Sequence, residues 1–317
     1  MTSWQIRAFR PDDLEAVIDL LETSAPVDAV TPRSFTENVL LDVNFHADGL
    51  RVAVADGYVL GVIYAVAAGS PAVPVPSDGG WITLFAVHPD HRGGGIGAAL
   101  LSEATEWLRG RGAAWVNVFG YPPAYFVPGL DVARYPEAHR LLTAAGFTES
   151  YTAVAMDASL AGYSTPEQVH QIRRQREAEG YRFGSAAPGD LPEAIAFASA
   201  RMAPDWGDVI RNSTLQHGHP ERVQLARDPD GTVVGFATYG SYGGIVERFG
   251  PFGVDETQRG RKLGEILLHL TMTRMRAEGA HCAWFLWTGE HSPAGHLYLK
   301  TGYQITRRFQ VMQKSLA

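Results

Sequence analysis

Leu84-Phe-Ala-Val-His-Pro-Asp-His-Arg-Gly-Gly-Gly-Ile-Gly97 and Pro251-Phe-Gly-Val-Asp-Glu-Thr-Gln-Arg-Gly-Arg-Lys-Leu-Gly264 align without a gap. Phe85/Phe252, Val87/Val254, Arg92/Arg259 and Gly97/Gly264 share one offset of 167. Two more blocks flank this pair in the same order. Ile6 to Ile18 reads as a short strand, a turn and an amphipathic helix, and the segment from Tyr181 repeats that plan, Asp190 matching Asp13. Ala145-Gly146-Phe147 matches Thr301-Gly302-Tyr303 at an offset of 156, so the first copy is 11 residues longer just before it. Self-similarity at this scale means two copies of one domain.

The repeat predicts an N-terminal domain over 1–160, a linker helix over 161–180 and a C-terminal domain over 181–317. In the linker, Ser164 or Thr165 caps, Pro166 suits a first turn and Gly180 a stop, so a helix lying over a domain surface is expected. Within each copy the order is strand, helix, several strands, glycine-bearing loop, helix, strand, helix, strands. Hairpins are expected at Asp56-Gly57 and around Asp230-Gly231. The fold class is α/β (α+β), each domain a twisted mixed sheet flanked by helices.

Composition narrows the function. The 317 residues carry 27 basic and 34 acidic side chains, a net −7 that argues against a nucleic-acid partner. Charges stand where a signal peptide needs an apolar stretch, and no window approaches 18 apolar residues. A cytoplasmic protein with no membrane partner is expected. Cys282, the one cysteine, excludes an internal disulfide and reads as a buried packing thiol. His217 and His219 read as loop histidines, and no metal is expected.

A strand ending in a glycine-bearing loop that opens a helix is a ready anion site. Backbone N–H groups point outward there, and the helix dipole favours negative charge. Arg92, Gly93, Gly94, Gly95, Ile96 and Gly97 supply this arrangement in the first copy. A dinucleotide fingerprint is excluded, because His88-Pro-Asp-His-Arg92 separates the strand from the first glycine and no acidic residue follows on an evident second strand.

Val87 to Gly97, as Val-x-Pro-x-x-Arg-Gly-x-Gly-Ile-Gly, resembles the acetyl-CoA pyrophosphate loop of the GNAT superfamily of N-acetyltransferases. Leu297-Tyr298-Leu-Lys-Thr-Gly302-Tyr303 is similar to that superfamily's Leu-Tyr-x-x-x-Gly-Phe motif. The resemblance spans both copies and implies acetyl-CoA as cofactor. It implies Phe85, Ala86, Val87, Arg92, Gly93, Gly94, Gly95, Ile96, Gly97 and Ala98 as its binding residues in the first copy. In the second it implies Phe252, Gly253, Val254, Arg259, Gly260, Arg261, Lys262, Leu263 and Gly264, with His291 where many members carry a cofactor-orienting asparagine. It implies transfer of an acetyl group to a primary amine of a small acceptor by direct attack in a ternary complex. A non-catalytic acyl-CoA sensor is the alternative.

The copies are not equivalent. Leu142 stands in the first where Tyr298 stands in the second, so the resemblance puts the general acid at Tyr298. A tyrosine of pKa about 10 suits proton donation to a thiolate whose conjugate acid is about 8.5. Glu247 is the candidate base, expected on the strand leading to the catalytic centre. In the second loop Lys262 replaces Gly95, with ordinary helical dihedrals expected, and Glu265 replaces Ala98, where a carboxylate competes with phosphate. Weaker cofactor binding follows for the second copy. A monomer or a homodimer is expected, and the insertion from Gly120 to Tyr135 reads as packing against the second domain more than as a substrate wall.

Overall fold

Four strands, β1 (Gln5–Ala8), β2 (Leu50–Ala55), β3 (Tyr58–Ala67) and β4 (Gly79–Val87), pair antiparallel in that order. The computed structural model describes residues 3–71 and 73–316. At the β2–β3 turn both Asp56 and Gly57 have positive φ, 50° and 85°, the twist that a two-residue hairpin requires. β3 is buried on both faces. Val62 and Tyr64 meet Val17, Leu20 and Leu21 of α1 (Leu14–Ser24) and Phe35 of α2 (Pro32–Phe35). Ile63 and Ala65 meet Ile96, Leu100, Leu101 and Leu108 of α3 (Ile96–Gly110). Each such side chain contributes about 1.5–3 kcal/mol by leaving water.

After α3 come β5 (Trp115–Val118), α4 (Pro136–Ala144) and β6 (Thr148–Ser159). β4 runs parallel to β5 only from Gly79↔Trp115 to Ile82↔Val118, and the Phe119 N–H donates once more to Ile82 O at 2.7 Å. On its other edge β4 pairs Ile82 with Ala65 and Leu84 with Tyr64, leaving Thr83 as an extra residue. That bulge bends the strand, while Phe119 and Gly120 turn away with φ of 63° and 59°. Thr83–Val87 therefore diverge from the chain beyond β5.

The second copy builds β7 (Arg182–Ser185), α6 (Leu191–Phe197), α7 (Trp206–His217), β8 (Val223–Arg227), β9 (Val233–Tyr239) and β10 (Phe249–Val254), preceded by α5 (Glu167–Ala178). Strands β7 to β10 pair antiparallel in chain order. Between Phe249↔Tyr239 and Phe252↔Ala237 one extra residue again sits on β10, at the position matching Thr83. Then follow α8 (Leu263–Ala277), β11 (Cys282–Gly289), α9 (Pro293–Thr301) and β12 (Gln304–Ser315). α5 packs on α8, and just ahead of α5 the Tyr163 hydroxyl lies 2.6 Å from His269 Nδ1 and Thr165 bonds Thr273 at 3.0 Å.

The chain divides into one unit of residues 1–154 with 307–317 and another of 155–306. This corrects the boundaries drawn from the repeat, which kept 181–317 together. β12 pairs antiparallel with β5, Met312 opposite Val118 and Ser315 opposite Trp115, whereas β6 neighbours β11. The last strand of the chain thus belongs to the first unit; a repeat preserves strand order but not which sheet a terminal strand joins.

Met312 is buried in the first unit's core with Val116 and Val118. Met312→Ala is expected to cost about 2–5 kcal/mol, as core truncations do, read as a lower urea midpoint. An unchanged midpoint would mean that β12 does not complete this sheet.

Candidate functional site

The divergence of β4 from β5 opens a cavity of about 480 Å³ that lies within the first unit. Its walls are Thr83–Val87 of β4, the glycine loop and first turn of α3, the end of α1, Leu141 and Leu142 of α4, and Phe126–Asp131 of the insertion. Tyr121 of the insertion is fully buried against Trp81 of the same unit, ring centroids 5.2 Å apart, while Phe126, Val127, Gly129, Leu130 and Asp131 line the cavity.

The loop geometry follows from its glycines. Gly93 and Gly95 have φ of 79° and 86°, a left-handed backbone that glycine adopts without strain. A Cβ on either would meet nothing within 4 Å, so the cradle is open on that side. At Gly97 the demand is closeness: a Cβ would lie 3.0 Å from Leu141 Cδ2 and 3.5 Å from Phe85 Cζ. The first backbone bond into α3 runs from the Ala99 N–H to Gly95 O, so the N–H groups of Ile96, Gly97 and Ala98 have no helical carbonyl ahead of them. Arg92 folds back over the loop, donating from Nε to Val87 O at 3.1 Å and from Nη2 to Ser24 O at 3.3 Å. It ties the end of β4 to the end of α1 and keeps a positive charge at the rim. These residues fit a pyrophosphate: an open, glycine-lined helix start with an arginine beside it.

The cavity wall also includes a network that the sequence reading missed. Arg307, on β12, donates from Nη1 to Asp28 Oδ1 at 2.6 Å, from Nη2 to Asp28 Oδ2 at 3.2 Å and from Nε to Asp131 Oδ2 at 2.7 Å. The Tyr135 hydroxyl donates to Asp28 Oδ2 at 2.6 Å. Burial first, and this bond to a carboxylate second, push the Tyr135 phenol well above its ordinary pKa. Asp28, Asp131 and Tyr135 line the cavity. Nothing in the local pattern marks them, since Arg307 comes from the far end of the chain.

The second loop keeps the backbone shape without the central glycine. Lys262 sits at φ 61°, in the left-handed region, where ordinary helical dihedrals were expected. The shared strand–loop–helix geometry fixes that backbone whatever the side chain. The Arg261 guanidinium lies over the Tyr181 ring, 5.7 Å from its centroid. Arg259 pairs with Glu256 at 2.8 Å, and Glu265 pairs with Lys300 at 2.9 Å. Leu263 is buried, and a Cβ on Gly264 would lie 3.2 Å from Phe252 Cζ.

Tyr298 is 6% exposed, its ring 4.4 Å from Phe285 of β11 and about 6 Å from Phe249 and Phe252 of β10. It therefore lies between the two strands where they part, and burial pushes its phenol far up. Gly253 and Val254 extend β10 beyond it. Glu247 lies in the turn that enters β10, not on the strand: pairing begins only at the Arg248–Trp284 bridge, and Glu247 O accepts the Trp284 N–H at 2.9 Å. No hydrogen bond joins Glu247 to Tyr298 among the described residues. His291 is exposed in the turn before α9. Cys282 is half-buried rather than buried, its thiol pushed up by burial and by Glu247. No three His, Cys, Asp or Glu residues are grouped to hold a metal, and no helix is long and apolar enough to cross a membrane, among the described residues.

Because a left-handed backbone costs a side chain about 1–2 kcal/mol, Gly95→Ala is expected to lose that much stability and Lys262→Gly to gain about 1 kcal/mol. Urea unfolding measures both; midpoints equal to the wild type would contradict the geometry of both loops.

Among solved structures, a GCN5-related N-acetyltransferase from Sphaerobacter thermophilus superposes with a TM-score of 0.70 at 18% identity, covering 99% of this chain and 96% of that one. A tandem GNAT protein from the clavulanic acid biosynthesis pathway gives 0.66 at 16%, covering 99% of each. A fungal multi-domain GH3 β-N-acetylglucosaminidase with a GCN5-related glucosamine N-acetyltransferase region gives 0.82 at 19%, covering 99% of this chain and 38% of that one. In sequence the chain is 24% identical to the mycothiol acetyltransferase of Clavibacter michiganensis, covering 93% of this chain and 89% of that protein. It is 25% identical to that of Mycolicibacterium vanbaalenii, covering 93% and 91%. The Acetyltransferase (GNAT) family model matches twice, over residues 14–120 and 194–303. Two such matches cover most of the chain, and it belongs to the GNAT acetyltransferase family.

Proposed function

We propose that the chain transfers the acetyl group of acetyl-CoA to a primary amine of a small acceptor, by direct attack in a ternary complex, at the first unit's cavity. The observation that carries this reading is the cavity itself, which begins at the open glycine loop and runs into the split between β4 and β5. Bound there, acetyl-CoA supplies an activated thioester. The N–H groups of Ile96, Gly97 and Ala98 and the charge of Arg92 hold its pyrophosphate. Backbone N–H groups freed where β4 leaves its partner are available to polarise a carbonyl. Leu142, buried in the cavity wall, denies this unit a phenol at the family position, and Tyr135 is the phenol that lines the cavity.

A second reading puts transfer in the other unit, with Tyr298 as acid, Glu247 as base and His291 near the cofactor. The placement of the Tyr298 ring between β10 and β11 favours it. The second loop, with Phe252–Val254 and Arg259–Gly264, would then hold the cofactor, its basic side chains first giving up the partners they have now.

Release of coenzyme A across a panel of amines separates the readings. Ala98→Trp, which fills the first cavity from the start of α3, is expected to raise KM for acetyl-CoA at least about tenfold, and Tyr298→Phe to change kcat less than about threefold. The reverse pattern, with Tyr298→Phe lowering kcat by the tenfold or more typical of a lost general acid, would move the reaction to the second unit. Binding without any release would make the chain an acyl-CoA sensor.

A further inference from the structure

We propose that the Asp28–Asp131 end of the first unit's cavity is the acceptor subsite, and that it takes a primary amine with no carboxylate or phosphate beside it. The inference rests on the transfer reading above and narrows its substrate class.

The charges decide it. All three guanidinium nitrogens of Arg307 donate to Asp28 or Asp131, at 2.6 to 3.2 Å, and its plane lies 4.6 Å over the Phe309 ring. The Asp131 side chain is 5% exposed and that of Asp28 14%. Two carboxylates against one guanidinium leave this end at −1, because Tyr135 is a neutral phenol here. Three of the five guanidinium N–H groups of Arg307 are engaged by Asp28 and Asp131, while the carboxylate oxygens keep lone pairs for an ammonium. The positive charge of the cavity wall is at Arg92 and the start of α3. Of the other charged residues lining the cavity, Glu137 and Arg140 neutralise one another at 3.4 Å and are exposed; His91 belongs to the loop end. The cavity wall thus carries both an anion site, at the glycine loop, and a cation site, at Asp28 and Asp131.

A second observation is independent of these charges. Thr83, the extra residue of the β4 bulge, lines the same cavity and is 2% exposed, yet its hydroxyl has no hydrogen-bond partner. Buried polar atoms are paired in folded proteins unless a ligand or water completes them. Thr83 sits where the strands part.

The test is calorimetry on the full chain loaded with coenzyme A, using matched pairs: cadaverine against lysine, tyramine against tyrosine, agmatine against arginine. At least one amine is expected to bind about tenfold or more tightly than its amino acid, the scale on which a like charge is rejected at a desolvated site. Asp131→Asn and Asp28→Asn are each expected to shrink that ratio at least about threefold, with the Kd for coenzyme A unchanged and melting temperature checking the fold. Amino acids binding as well as their amines, or a ratio that survives both substitutions, would overturn the subsite while leaving the transfer reading in place. Failure of the wild type to bind coenzyme A would overturn both.

Discussion

One extra residue on β4 is the constraint on which the site depends. With Thr83 bulged out, β4 cannot stay in register with β3 and remain straight, and its parallel ladder with β5 ends at Ile82. A parallel pair that stops short leaves a wedge, and a wedge between two strands of a packed sheet is a cavity with backbone on both walls. The glycine loop and the carboxylates held by Arg307 then line it. β10 carries an extra residue at the matching place, so both copies part their strands alike. In the second, however, Phe249, Phe252, Phe285, Tyr298 and Tyr303 gather around the split.

The copies have moved apart in what fills a shared frame. The first holds its loop with Gly95 in the left-handed region and offers Leu142 to the cavity. The second forces Lys262 into the same backbone and keeps the phenol of Tyr298. Neither change disturbs the fold, because each acts on a side chain while sheet order and helix packing are set elsewhere, by residues such as Leu100 and Leu267 that are fully buried in their units.

What the sequence made legible was local. The Asp56-Gly57 turn, the glycine loops, the linker helix and the ordering of blocks are each written within a few residues of one another, and the family follows from two such loops and one tyrosine motif. The cap read at Ser164 or Thr165 is not formed, since α5 starts after Pro166 with no side-chain cap and Thr165 bonds Thr273 instead. What it hid was long-range. Arg307 reaches Asp28 across 279 residues and Asp131 across 176, with no periodicity to announce either pair. The placement of β12 in the first unit is invisible to a repeat that matches blocks but not partners. Glu247 was misplaced for a related reason: a strand pattern does not say where pairing begins, and here it begins one residue later. Lys262 misled because side-chain propensity was weighed where backbone geometry rules.

The central claim is that the first unit's cavity holds acetyl-CoA through the loop that opens α3. Binding stoichiometry by calorimetry, for wild type and Gly97→Glu, tests it most directly, since a side chain at Gly97 collides with Leu141 and puts a carboxylate where the pyrophosphate would lie. The account predicts a tight site in the wild type that Gly97→Glu abolishes. Unchanged affinity and stoichiometry in Gly97→Glu would contradict it.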